Sequence, residues 1–211
     1  MEKHKIVSKQ NLLPFILVTA LFYLWAIPNN LNDILIPQFM KSFELNRLQA
    51  GLVQSAFYMG YFLLALPAAY IMDRFNYKTG IITGLLLFAT GSFLFYPAAT
   101  SGKYEMFLLA LFVIASGLSF METGANSFIA VLGDPATSAQ RLNFSQAFNP
   151  LGAMSGVLIG NVFIFSGVEH SEAQVEVLKA SGQYQSYLQS EILRVIPPYM
   201  VIGIVILIWA F

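Results

Sequence analysis

Six stretches of this sequence are each apolar for the roughly 20 residues that a helix needs to cross a bilayer, and this limits the fold more than any other feature. They cover residues 12–39, 50–72, 79–98, 104–132, 142–168 and 192–211. In hydrocarbon every backbone N–H and C=O must find its partner within the protein, so long apolar runs become helices. Membrane β-strands are short and alternate in polarity, which these runs do not. One such run could hide in a soluble core, but six in succession could not. The expected fold is all-α and polytopic, a single transmembrane domain over residues 1–211 with the lipid bilayer as its solvent.

Composition agrees. Charged residues make up 10% of the chain, against about 25% in an ordinary soluble domain, too few to coat a soluble surface. Net charge is zero, so no nucleic-acid partner is expected. The absence of cysteine excludes disulfides, thiolate zinc sites and thiol catalysis. The two histidines, His4 and His170, lie in polar flanks, so neither a metal site nor a cofactor is expected. Lys3, Lys5 and Lys9 precede the first run as they would in a signal peptide. The run continues past Trp25 to Phe39 without a small-residue cleavage site, so it reads as a first span.

Lys3, Lys5, Lys9, Arg74, Lys78 and Arg141 fall on one side of the spans. Lys41, Arg47, Lys103, Lys179 and Arg194 fall on the other. The balance is close, and the lysine-rich N-terminus places that end in the cytoplasm. The loop over residues 167–191, with Glu169, Glu172, Glu176 and Glu191, is then outside. The last run is still apolar at Phe211, so the chain reads as a fragment, or half of a larger protein.

Against this background two carboxylates stand out. Asp33 lies in LWAIPNNLNDILIP and Glu122 in ASGLSFMETGANSFIAVL. An acid in a bilayer core costs several kcal/mol and usually lines a cavity or a proton and substrate path. No Lys or Arg accompanies either acid in its span, so each must be protonated, hydrated or bound. Low dielectric disfavours the charged form of a carboxyl, which suits an acid that couples to protons. Asn29 and Asp33 are four apart, as are Glu122 and Asn126, so each pair shares a helix face. Amide beside carboxylate offers the mixed donors and acceptors that a polyhydroxy ligand requires.

Pro28 and Pro37 flank the first cluster, and prolines at membrane depth often mark transporter sites. Span five adds Gln146 and Asn149, with Asn143 and Ser145 nearby. These last two, and Ser119, read as readily as interhelical glue. Small residues at Gly117, Gly124, Gly152, Ser155, Gly156 and Gly160 suit close helix packing. Spans one and four occupy matching places in a three-plus-three division of the chain, the inverted repeat of major facilitator halves. No nucleophile–base pair, metal cluster or phosphate loop appears in the spans, so catalysis is not expected and no catalytic residue is assigned.

The loop AYIMDRFNYKTG places Asp73, Arg74 and Lys78 after span two, in partial likeness to the conserved loop of the major facilitator superfamily. Ala69 stands where glycine is usual, and Asn76-Tyr77 replaces Gly-Arg. The runs NNLNDILIPQF, QAGLVQSAFYMGYF, YKTGIITGLLLF, METGANSF and RLNFSQAFNPLGA resemble the bacterial L-fucose permease group of that superfamily, the fucose–galactose–glucose:proton symporters. The resemblance implies a twelve-helix transporter of two six-helix bundles, of which this chain is the N-terminal one. It implies a hexose bound at the midplane, and Asp33 and Glu122 as the proton-titrating acids of the first and fourth helices. It implies Asn126, Gln146 and Asn149 as further sugar contacts, to which the face shared with Asp33 adds Asn29. It also implies a cytoplasmic (inner) membrane setting, the proton as coupling ion and a C-terminal half as partner. Uptake of L-fucose is the expected activity. A glucose or galactose symporter and a non-transporting truncated membrane protein are the alternatives.

Overall fold

In the computed structural model, residues 6–165 and 171–211 are described. Lys3, His4, Lys5, Glu169 and His170, and the expected end of span five at residues 166–168, lie outside the described residues. Four long helices come first: α1 (Leu12–Ser42), α2 (Arg47–Arg74), α3 (Tyr77–Ser101) and α4 (Tyr104–Val131). At 1.5 Å per residue, even 25 residues reach about 38 Å, more than the roughly 30 Å of hydrocarbon. The fifth span consists of α5 (Ser138–Gln146), α6 (Asn149–Ile159) and a π-helical turn over Gly160–Ile164. The helix α7 (Glu172–Ala180) precedes a sixth span made of α8 (Tyr184–Leu193) and α9 (Ile196–Trp209). No strand occurs among the described residues. Among the described residues, length and composition give six helical segments able to cross a membrane.

Sharp turns make sequential spans antiparallel neighbours. Asn46 and Gln49 form a reciprocal capping box at the start of α2, and the Asn76 side chain accepts from the Thr79 amide at 2.8 Å to open α3. Gly102, at φ +62°, closes α3 in the left-handed region that a side chain would disfavour. The N-terminus and the turns after α2 and α4 share one end of the bundle, the near face. The turns after α1 and α3 share the far face.

The buried helix α4 is the hub, packed against both α2 and α3. Gly84 and Gly117 let α3 and α4 approach closely: a Cβ on Gly117 would lie 2.5 Å from the Gly84 carbonyl, and one on Gly84 2.7 Å from the Gly117 carbonyl. The α6 helix lies on α1 in the same manner, with Gly152 and Gly156 facing the Tyr23 and Ile27 carbonyls. Thr19 and Tyr23 add hydroxyl bonds to Ser145 and Ser155, both at 2.8 Å. Phe95 stacks on Tyr199 at 3.6 Å to hold α9 against α3.

Several sequence expectations need correction. The fifth span is not continuous: it breaks between Gln146 and Asn149, because Pro150 lacks the amide hydrogen that would bond the Gln146 carbonyl. The sixth begins at Tyr184 rather than near residue 192, and it is interrupted at Arg194-Val195, just before Pro197-Pro198. The expected polar loop over residues 167–191 therefore holds α7, capped by Ser171 and Gln174, and most of α8. Pro28 and Pro37, by contrast, do not break α1, although each frees a carbonyl one turn back.

Two residues read as loop charges are buried. Arg141 is 0% exposed. Its guanidinium donates to the Ile129, Ala130 and Asp134 carbonyls at 3.1, 2.9 and 3.0 Å and to Thr137 Oγ1 at 2.7 Å. It thereby caps the carbonyl end of α4, where a cation is favoured. Glu191 is 3% exposed and lies 3.2 Å from Lys41 Nζ and 3.7 Å from Arg194 Nε.

Candidate functional site

At mid-bundle α1, α2 and α4 enclose a cleft of about 480 Å³ that brings Asn29, Asp33 and Glu122 together with Asn30, Asn32, Phe57, Tyr58 and Tyr61. The two acids named from sequence thus share one polar cleft. Asp33 projects from an exposed position of α1, and its Oδ1 accepts from Gln54 Nε2 on α2 at 2.7 Å. Gln54 Oε1 in turn accepts from Asn32 Nδ2 at 3.0 Å. Asn32 is 2% exposed, and its own Oδ1 has no donor among the described residues. Gln54 therefore bridges two adjacent α1 side chains and fixes the Asp33 carboxylate.

Glu122 is placed differently. It is half-buried on α4, and among the described residues no donor reaches its carboxylate. Tyr61 lines the same wall. Its hydroxyl donates to Asn29 Oδ1 at 3.4 Å, while its backbone carbonyl accepts from Ser119 at 3.2 Å. Ser119 thus serves helix packing, as does Ser145 through Thr19.

The remaining sequence-chosen residues lie off this wall. Asn126 is one turn along α4 towards the near face, about 6 Å of helix rise from Glu122. Its Oδ1 accepts from Gln146 Nε2 at 3.5 Å, joining α4 to the end of α5. Asn149 is half-buried and opens α6, so Gln146 and Asn149 flank the break in span five. Irregular backbone at membrane depth is tolerated where it lines a cavity or is buried in protein. Asp73, Arg74 and Lys78 are exposed at the near face, far along the chain's helices from the cleft; Lys78 instead borders an apolar groove.

Sequence reasoning missed Gln54, Phe57, Tyr58 and Tyr61. A signal was present: Gln54, Tyr58 and Tyr61 are spaced i, i+4, i+7 along one face of an apolar helix. The cleft can therefore offer a carboxylate held in place, a carboxylate without a donor, several amides and aromatic rings. That is a mixture suited to a small polyhydroxy ligand with one apolar face.

A profile of the Major Facilitator Superfamily matches residues 14–211. The chain belongs to that superfamily. It is 47% identical over 203 residues to the L-fucose-proton symporter of Escherichia coli (strain K12), a match covering 96% of this chain and 46% of that protein. The Haemophilus influenzae L-fucose-proton symporter is 36% identical over 207 residues, covering 96% of this chain and 48% of that protein. A glucose/galactose transporter of Brucella abortus is 42% identical over 159 residues, covering 75% of this chain and 39% of that protein. The crystal structure of a superfamily transporter, FucP, in the outward conformation superposes with a TM-score of 0.81 at 46% identity, covering 96% of this chain and 49% of that one. The chain spans about half the length of the fucose symporters it matches, as a major facilitator N-terminal bundle does. It is a multi-pass membrane protein.

Proposed function

We propose that this chain is the N-terminal bundle of a proton-coupled sugar symporter, with L-fucose as the sugar. The observation that carries the reading is the single cleft shared by Asp33 and Glu122, one acid held by a donor and one without. Support for the sugar comes from the fucose symporters, which match over 96% of this chain where the Brucella glucose/galactose transporter matches over 75%. The function is transport rather than catalysis, with the proton as coupling ion and no cofactor.

Each residue has a part that its setting supports. Glu122 takes the proton from outside, since no hydrogen bond competes for its carboxylate. Asp33, oriented by Gln54, accepts from a sugar hydroxyl, and Asn29 supplies an amide beside it. Asn126, Gln146 and Asn149 continue the polar path towards the near face, where the sugar leaves once the two bundles rock. The C-terminal six-helix half supplies the opposite wall. The bundle sits in the bacterial cytoplasmic membrane with its N-terminus inside, a placement supported by exposed Arg74 and Lys78 at the near face.

The test is sugar-driven proton uptake. The chain is expressed in cells lacking sugar carriers, alone and with the C-terminal half of the Escherichia coli relative, and external pH is followed after sugar addition. Alkalinisation with L-fucose, abolished by Glu122→Gln, is the expected result. A response to D-glucose or D-galactose instead moves the assignment to the glucose/galactose carriers. Silence with every sugar in both arms, with the protein present in the membrane, overturns the transport reading.

A further inference from the structure

The seam between the first and sixth spans is closed at one end of the bundle and open at the other. At the far face Gln38 Nε2 donates to the Glu191 carbonyl at 3.0 Å, and Lys41 reaches the Glu191 carboxylate at 3.2 Å. At the near face a groove of about 670 Å³ separates the start of α1 from the α3–α9 pair. Its walls include Leu13 and Leu17 of α1, Ile82 of α3 and Ile208 of α9. Lys78, the second residue of α3, stands at one rim, and Trp209 of α9 at another.

These features share one depth. Lys78 and Trp209 border the same groove as Leu13 and Pro14 at the start of α1, on the near face, where the headgroups of a bilayer leaflet lie, and Trp is enriched at that level. From Lys78 the α3 wall descends through Ile82 to Leu85, seven residues or about 10 Å into hydrocarbon. A slot of this kind fits one acyl chain. Lys78 is exposed, and no carboxylate among the described residues pairs with it. The first turn of α3 contains no acidic residue, so the positive end of its helix dipole adds to the ammonium charge. Basic pockets between transmembrane helices recognise anionic headgroups.

We propose that this groove binds an anionic phospholipid, with one acyl chain along Leu17, Ile82 and Ile208 and the phosphate against Lys78. The site is separate from the sugar cleft and does not depend on the transport reading.

The chain has two tryptophans, and they give the test a built-in reporter. Trp25 is 2% exposed in the core, whereas Trp209 is 36% exposed on the groove. The full chain, carrying Trp25→Phe, is reconstituted into phosphatidylcholine vesicles with increasing brominated phosphatidylglycerol or brominated phosphatidylcholine. Bromine quenches indole fluorescence on contact. The expected result is half-quenching of Trp209 at a several-fold lower mole fraction of phosphatidylglycerol. Lys78→Gln should bring the two curves together without altering the phosphatidylcholine one. Subtracting a Trp209→Phe control from the unaltered chain yields the same quantity, so nothing hangs on how Trp25→Phe folds. Coincident curves with Lys78 present, or a preference that survives Lys78→Gln, would overturn the proposal.

Discussion

Arg141 and Asp33 both carry charge in a membrane protein, and the structure treats them in opposite ways. The arginine, in what reads as a loop, is fully buried with donors matched to four carbonyls and a hydroxyl. The aspartate, in the middle of an apolar run, faces an open cleft with one amide on its carboxylate. Glu191 resembles Arg141, buried with Lys41, Arg194 and Gln38 around it, while Glu122 resembles Asp33. A buried charge with a full set of partners is a fastener; replacing it should cost stability. An acid left with free lone pairs in a cleft has capacity for a ligand or a proton, and replacing it should cost function. Variants at these positions either break that division or sharpen it.

The largest stability loss is expected at Arg141. Arg141→Met keeps some bulk but removes every donor that closes the end of α4. Each carbonyl left dry and without a donor costs about 1–3 kcal/mol, so a loss of at least about 3 kcal/mol is expected. Lysine cannot reproduce the planar fork, so Arg141→Lys should recover only part of it. Detergent unfolding titrations followed by circular dichroism would show this, and a loss below about 1 kcal/mol would remove Arg141 from the fasteners.

Glu191→Gln comes next. Lys41 and Arg194 are each about one-third exposed, so the cations left behind can turn to water and screening limits the loss. About 1–2 kcal/mol is expected in the same titration, since hydrogen bonds to a charged group are lost while the amide keeps its shape. Gln54→Leu is smaller still, about 0.6–2 kcal/mol, the range for interhelical hydrogen bonds in membranes. It differs in kind as well. On the proposed function it should also weaken sugar affinity, because Asp33 loses the donor that orients it and Asn32 loses its acceptor. A Gln54→Leu protein with unaltered sugar binding would show that the bridge serves packing alone.

How much of this division was legible in the sequence follows from the same residues. Hydrophobic run length found the six spans, because hydrocarbon leaves the backbone no alternative to helix. The rarity of acids in such runs found Asp33 and Glu122. The chain positions of Arg141 and Glu191 said nothing of their burial, which depends on tertiary partners from other segments: Ile6 and Ile129 for one, Lys41 for the other. Gln54 was passed over because a single amide in an apolar helix is ordinary, and its importance arises only when α2 lies beside Asp33. The break in span five was visible in Pro150, yet the apolar residues on either side of it read as one run.

The smallest stability change and the sharpest functional one are expected at the two acids. Asp33→Asn and Glu122→Gln each preserve side-chain shape and line a cleft where water can reach, so stability should change by no more than about 0.5 kcal/mol. On the proposed symport, with the C-terminal half supplied, their effects on uptake should separate. Glu122→Gln cannot release a proton; it should abolish sugar-driven alkalinisation while leaving exchange of sugar across the membrane, which needs no net proton movement. Asp33→Asn retains an acceptor oxygen for Gln54 but not the charge that attracts a sugar hydroxyl, so both exchange and alkalinisation should fall together. Measuring the two fluxes side by side in one vesicle preparation distinguishes the roles. Identical loss of both fluxes in the two variants would mean that the acids act as one coupled pair, and that the absence of a donor at Glu122 does not mark it as the proton carrier.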